Sequence, residues 1–322
     1  MLIQRLFVLR KRNRLTSNCD RGSIAVLAAS AFLPLSMSFA VVADGSQIWS
    51  QKTSIQNDVE ASALAVAQKW ASDKSQCADF ELSFVQIAER DQIDCAISPR
   101  TNGVVATVSA TSSVNLHFAQ LFGRNTSSIS STTSVRVGPT SQGVGVFPFS
   151  ISSENTSLQN WVNSGMTSSR IYRIDVDSED SEHEEAAPGN WAVLDLNGGS
   201  NSTSETRDWI LNGYSGVVSA GQSVSGDPGI PSSALRIDRL IGKSVVLPVF
   251  KSLKLPGSNA QYEIAGFVKV QITAVKLQGE SRYIKLMFQK DSMPGDSGSS
   301  NANNFGLTSW SVCSFDGKGD CS

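Results

Sequence analysis

Residues 22–42 read GSIAVLAASAFLPLSMSFAVV, and residues 43–70 continue ADGSQIWSQKTSIQNDVEASALAVAQKW. The first stretch contains no charged residue. About 20 apolar residues suffice to cross a bilayer as a helix, and small residues and a proline are tolerated there. In the second stretch Ile48, Ile55, Val59, Ala63, Val66 and Trp70 recur at spacings of seven, four, four, three and four. That is one stripe of a helix, although Lys52 falls within it. Ile55, Val59, Ala63, Val66 and Trp70 are the expected packing residues. The reading is a transmembrane helix over 22–42 that runs into an amphipathic helix over 43–74.

The flanks set the orientation. Arg5, Arg10, Lys11, Arg12, Arg14 and Arg21 precede or open the apolar run, against Asp20 alone. Basic residues directly before an apolar run mark its cytoplasmic side. Residues 1–21 therefore read as a cytoplasmic segment facing the lipid bilayer, with no nucleic acid as partner. The bulk of the chain lies on the other side, with a formal excess of about seven negative charges. The alternative is a secreted binding or adhesion protein, released by signal-peptide cleavage near Ala40 (Ser38-Phe39-Ala40) or Ala43 (Val41-Val42-Ala43). The helical stripe that follows speaks for a retained anchor, because a signal peptide needs no such continuation.

The rest of the chain is rich in Ser, Thr, Asn and Gly, and only 17% of all residues are charged. That suits a β-rich extracytoplasmic protein better than a helical cytosolic enzyme. Five cysteines are present. Cys19 precedes the apolar run. Cys77, Cys95, Cys313 and Cys321 are even in number, and pairing Cys77 with Cys95 and Cys313 with Cys321 closes two short loops. Four cysteines allow three pairings, and the sequence leaves the other two open. Disulfides imply an oxidising compartment. Zinc is the rival use, but no Cys-x-x-Cys occurs, and His117 and His183 are far from every cysteine in the chain.

Residues 20–70 resemble the N-terminal segment of TadG-like proteins of the tight-adherence (Flp) pilus system. The matching elements are Arg21-Gly22, Asp44-Gly45, Ile55-Gln56-Asn57-Asp58 and the alanine series from Ala61 to Ala67. The sister TadE-like pseudopilins place a glutamate five residues after the glycine, and here that position is Leu27. The resemblance thus implies a bacterial inner-membrane protein that is not processed after Gly22. It would be single-pass, with its N-terminus in the cytoplasm, and would act in Flp pilus assembly by anchoring and protein–protein contact. Its partners would be other pilus-assembly proteins or pseudopilins. No cofactor is implied.

Beyond the helix the period shifts from 3.6 toward 2. The fold class is α+β with a mainly antiparallel β region, in two modules, 75–176 and 190–322, joined by an acidic linker over 177–189. Strands are expected at Phe80–Ile87, Val104–Ser109, Ser131–Val137, Val144–Ile151, Ile171–Val176, Trp191–Leu196, Ser244–Phe250, Ile264–Val275 and Tyr283–Phe288. Pro148 sits near the end of the fourth of these. Pro248 places Ser244–Phe250 at an edge or a bulge. Val114–Gly123 reads as a short helix or turn containing His117, a core or half-buried histidine rather than a ligand. Residues 152–169 read as polar and turn-rich. A helix is expected over Thr203–Leu211, capped by Ser204, with Trp209 and Ile210 facing inward. Val224–Leu235 and residues 291–305 read as loops. The Phe-Gly turn between strands, the Pro-containing apolar segment and Gly189-Asn190-Trp191 also look TadG-like.

Three chemical readings fall short. Gly295-Asp296-Ser297-Gly298 is similar to the string around a trypsin-like nucleophile, but neither histidine lies in a recognisable base setting. Asp296-Ser297-Gly298-Ser299-Ser300 has its serines out of register for a DxSxS metal site. The acidic run Asp177–Glu185, which contains His183, lacks the spacing and glycine of an EF-hand loop and reads as solvated. The chain is expected to be no enzyme and to hold no metal.

Overall fold

The structure, a computed structural model, describes residues 20–77, 92–167, 171–175, 193–199, 202–226, 237–254, 261–276, 283–298 and 301–321. The basic head with Cys19, the expected strand Phe80–Ile87 and the acidic run with His183 lie outside the described residues. In chain order the elements are helix α1 (Asp20–Asp73) and strands β1 (Gln92–Arg100), β2 (Gly103–Asn115), β3 (Thr126–Pro139), β4 (Gln142–Gly143) and β5 (Ile151–Ser152). Helix α2 (Thr156–Asn163), strands β6 (Ile171–Asp175) and β7 (Leu194–Asp195), and helix α3 (Thr203–Asn212) follow. The remainder is β8 (Val218–Ser219), β9 (Ser223–Gly226), β10 (Ser244–Lys254), β11 (Gln261–Lys276), β12 (Tyr283–Gln289), β13 (Asp291–Pro294) and β14 (Leu307–Phe315). The described structure is thus mostly β behind one long helix.

The chain divides into two compact units, Met1–Gln51 with Ser113–Ile129, and Lys52–Ser112 with Ser130–Ser322. The second unit holds two main sheets. One has the order β1-β2-β3-β14-β13, the other β5-β10-β11-β12-β6, with β9 pairing β11 and β7. The first sheet draws strands from both ends of the β region. Its pairs are antiparallel where β1 meets β2 and β3 meets β14, but β13 runs parallel to β14. The second sheet is built on antiparallel β10–β11–β12. Strand β12 alternates along its whole length, β11 along part of it, and β10 is a continuous apolar run over Val245–Phe250. Leu247, Val249, Val268 and Val270 face a core that includes Leu158 and Trp161 of α2. Phe250, Tyr262, Ile264 and Phe267 join a second core with Trp209 of α3 and Leu307 of β14.

Several expectations are corrected here. Val144–Ile151 is not one strand. Gly145 takes φ 73°, a left-handed conformation that ends an extended run. Contacts then come as isolated bridges at Val146 and Phe149 before the two-residue β5. The polar stretch 152–169 contains α2, whose N-terminal amides are met by the Asn155 side chain at Leu158 N, 2.9 Å. Its buried residues, Leu158 and Trp161, stand at i and i+3, so the helical period is present but carried by a single turn. Helix α3 is capped by Ser202, not Ser204. Ser202 is extended (φ −81°, ψ 153°) and accepts from Glu205 N at 3.2 Å, while Ser204 sits inside the helix. Trp209 and Ile210 are buried as expected.

The expected loop at 224–235 begins as strand β9, paired with β11 through Val224↔Tyr262. The expected loop at 291–305 opens with β13 and buries Ala302 and Phe305. Its Ser, Asn and Gly content hides a segment whose backbone donates and accepts along β14. Pro248 lies within β10 opposite Phe267, and the register shifts just after it, between Val249 and Phe250. The bulge alternative therefore describes this strand, with a break in the ladder beside the residue that lacks an N–H.

Candidate functional site

Helix α1 carries the residues that the sequence singles out, and its two parts are built differently. From Lys52 on, the stripe is buried. Ile55, Val59 and Ala63 are fully buried and Val66 nearly so, and Ala67 and Ala71 extend the same face. Trp70 is only half-buried. The Lys74 ammonium stacks over its ring at 3.5 Å. Burial, with Lys290 nearby as a second cation, lowers the Lys74 pKa to about 8. Lys74 adopts φ 62° just past the last turn, and its N–H bonds the Trp70 carbonyl at 2.9 Å, closing the helix.

Two ties hold this part of the helix to the first sheet. The Lys52 ammonium, inside the stripe, donates to Asp316 at 2.6 Å and to the Ser130 carbonyl of β3. Gln56 donates to the same carboxylate at 3.1 Å. Asp316 also accepts from Ser131 Oγ at 2.8 Å and Thr132 N at 2.9 Å. Partial burial raises the Asp316 pKa, but these donors outweigh it and hold the carboxyl well below the usual carboxylate range. At the other end Lys290 donates to the Ser72 carbonyl. Asp316 lies in the loop closed by the Cys313–Cys321 disulfide, and Cys77 is bonded to Cys95 of β1. Both local pairings are therefore the ones present.

The earlier part of α1 belongs to the other unit and presents apolar side chains outward. Val26, Leu27, Phe32, Val41, Val42 and Trp49 are all at least 65% exposed. Among its described side chains, the one buried polar residue is Asp44. Asp44 caps a one-turn 3-10 helix, Ala119–Phe122, at the end of the β2–β3 hairpin. It accepts from His117 N at 3.0 Å, Phe118 N at 3.1 Å and Ala119 N at 2.7 Å. Phe118, at the cap position, supplies no side-chain acceptor of its own. The orphan amides of the turn are thus met by a carboxylate 73 residues and more away in sequence. Burial raises the Asp44 pKa, and the three N–H donors lower it further than burial raises it. His117 is exposed, not half-buried, and it is the backbone of this residue that is used.

Neither Asp44 nor Asp316 was legible as a ligand of backbone amides, since their partners are distant in sequence. Asp316-Gly317 and Asp44-Gly45 do carry a turn-type pair, but Asp44-Gly45 sits inside the helix.

The Gly-Asp-Ser-Gly string forms a docked turn. Gly298 N bonds the Pro139 carbonyl at 3.0 Å and Arg136 donates to the Gly298 carbonyl at 2.7 Å. Ser297 Oγ is buried with no hydrogen-bond partner in the structure, the opposite of a nucleophile held against a base. Among the described residues, no group of three His, Cys, Asp or Glu side chains is placed to hold a metal ion. Among the same residues, no helix is long and apolar enough to cross a membrane. Much of the 21–40 stretch has side chains outside the described set.

Residues 22–69 match the family model described as putative Flp pilus-assembly TadE/G-like. The match covers the helix through both of its parts and stops just short of Trp70. It supports the TadG-like resemblance, and with it an association with the cell envelope and with other pilus-assembly components. Comparison with curated proteins and with solved structures finds no match.

Proposed function

We propose that this protein is a single-pass component or accessory of Flp pilus assembly, anchored by residues 22–42 and acting through protein–protein contact rather than catalysis. The observation that carries the reading is the coincidence of the family match with α1. One helix holds an uncharged run of 21 residues, about 30 Å long at 1.5 Å per residue. The same helix then seats a buried stripe on a β-rich body. The basic residues before the run favour an N-terminus in the cytoplasm, which leaves the disulfide-bonded body in an oxidising compartment.

The rival, a secreted binding protein cut near Ala40 or Ala43, is less well supported. The helix continues unbroken across both positions, and a peptidase needs its substrate extended. The test is genetic and direct. Loss of the chain from its host is expected to abolish or sharply reduce Flp pili at the cell surface. The full chain is expected to restore them, and a version with its 22–42 segment replaced by a cleavable signal peptide is not. Normal piliation without the chain would overturn the proposal.

A further inference from the structure

The β2–β3 hairpin ends in residues 117–124, and its surface is unusual for a loop tip. Leu121 is 79% exposed, the most exposed large apolar residue described in the chain. His117 and Arg124 flank it and are exposed. Residues 113–129 contain no Asp or Glu at all, in a body with an acidic excess. A lone exposed leucine needs no explanation. What gives this one meaning is where the tip is held.

Asp44 fixes the tip through three backbone amides, and Asp44 lies two residues beyond Val42, where the apolar run ends. Two residues of helix rise only about 3 Å. The headgroup layer on each side of the hydrocarbon is about 5–8 Å thick. If 22–42 spans the bilayer, the tip is held within that layer. The three N–H donors also explain how a carboxylate can sit at this depth, since its charge is met by the turn instead of by water.

We propose that the hairpin tip is a second membrane contact, with Leu121 entering the outer surface of the bilayer beside the helix while His117 and Arg124 face anionic headgroups. This rests on the reading of 22–42 as a span. The partner is a lipid surface for two reasons. The tip is continuous, through Asp44, with the segment that would emerge from the lipid. Its exposed cation, Arg124, is also complementary to anionic phospholipid, while the Asp44 carboxylate is buried against the turn's amides. The contact would fix the orientation of the hairpin tip at the surface.

The test uses the full chain in vesicles of mixed zwitterionic and anionic phospholipid. Cys19→Ser removes the one cysteine outside the disulfides. An environment-sensitive fluorophore is then placed singly at Phe32→Cys, Leu121→Cys or Val217→Cys, all exposed positions. Each is quenched by aqueous iodide and by nitroxide lipids at headgroup or mid-chain depth. Residue 32 is expected to be quenched most by the mid-chain nitroxide, 121 most by the headgroup nitroxide, and 217 by iodide alone, several-fold more than 121. If 121 is quenched by iodide as strongly as 217 while 32 remains in the lipid, the tip contact is wrong and the span stands. If 121 is shielded from iodide but untouched by either nitroxide, a protein covers it and the proposal is overturned. If 32 itself is quenched by iodide, the span fails and the tip contact falls with it.

Discussion

The two parts of α1 have similar small-residue content and opposite surroundings. After Lys52 the helix turns a stripe of Ile55, Val59, Ala63 and Val66 into a protein core and is tied at both ends, by Asp316 just past β14 and by Lys290 between β12 and β13. Before Gln51 it shows Val26, Leu27, Phe32, Val41 and Val42 outward, and the one polar group buried among its described side chains, Asp44, is spent on a hairpin turn. Periodicity is the difference that matters. A 3.6-residue stripe needs one apolar neighbour on one side, while an all-round apolar run needs an apolar surrounding. The first is satisfied within the chain. The second asks for something outside it.

The largest effect should come from placing a charge in the stripe. Val59→Asp is expected to cost upward of about 3 kcal/mol, the penalty of an uncompensated buried charge, while the same change at exposed Leu27 should leave folding in detergent intact. Ile55→Ala should cost about 2–4 kcal/mol through the cavity it leaves. Denaturant midpoints of the detergent-solubilised protein read both. If Leu27→Asp destabilises as much as Val59→Asp, the two parts do not differ as described.

The disulfides come next. Cys77 and Cys95 are 18 residues apart and Cys313 and Cys321 are 8 apart. Loop-closure entropy makes their loss worth about 3 and about 2.5 kcal/mol in the chain-entropy account. Denaturation of the paired Cys→Ala variants checks this. The second should also loosen Asp316, and so the Lys52 end of the helix.

Asp316→Ala should cost about 1–2 kcal/mol, since several charge-assisted hydrogen bonds are lost but the site is only partly shielded from solvent. Its pH dependence has a definite sign. A carboxyl held below its ordinary value contributes fully above the unfolded pKa, about 3.9, and loses that contribution as pH falls through the folded value. Asp44 behaves alike. The protection of Thr132 N and Ala119 N against hydrogen exchange, relative to the unfolded rate at the same pH, should therefore stay high at neutral pH and fall in strong acid. Loss of protection at Ala119 N already near pH 6 would contradict the cap. The smallest effect belongs to Phe32→Ser, within about 0.5 kcal/mol on folding, with its consequence seen in membrane retention.

The stripe was legible because four turns of a helix repeat the same signal, β12 because it alternates along its whole length, and β10 and β11 because they are long and rich in apolar residues. The short helix α2 and strand β13 were not, since α2 carries its period over a single turn and β13 buries no side chain fully. Ser202 and Ser204 offer the same hydroxyl, and only the extended backbone of Ser202 decides which one caps. The two carboxylates were the least legible. Asp44 and Asp316 act on amides brought near by the fold, and nothing in their neighbouring residues names those partners. The long helix was read from the sequence, but the groups that fasten it were not.

The central claim is that α1 runs intact from a membrane span into the body. Membranes bearing the native protein should be washed in alkaline carbonate and the mass of the retained chain measured. The account predicts that the protein stays in the pellet at a mass that includes residues 22–42. A carbonate-soluble chain beginning near Val41 or Asp44 would contradict it.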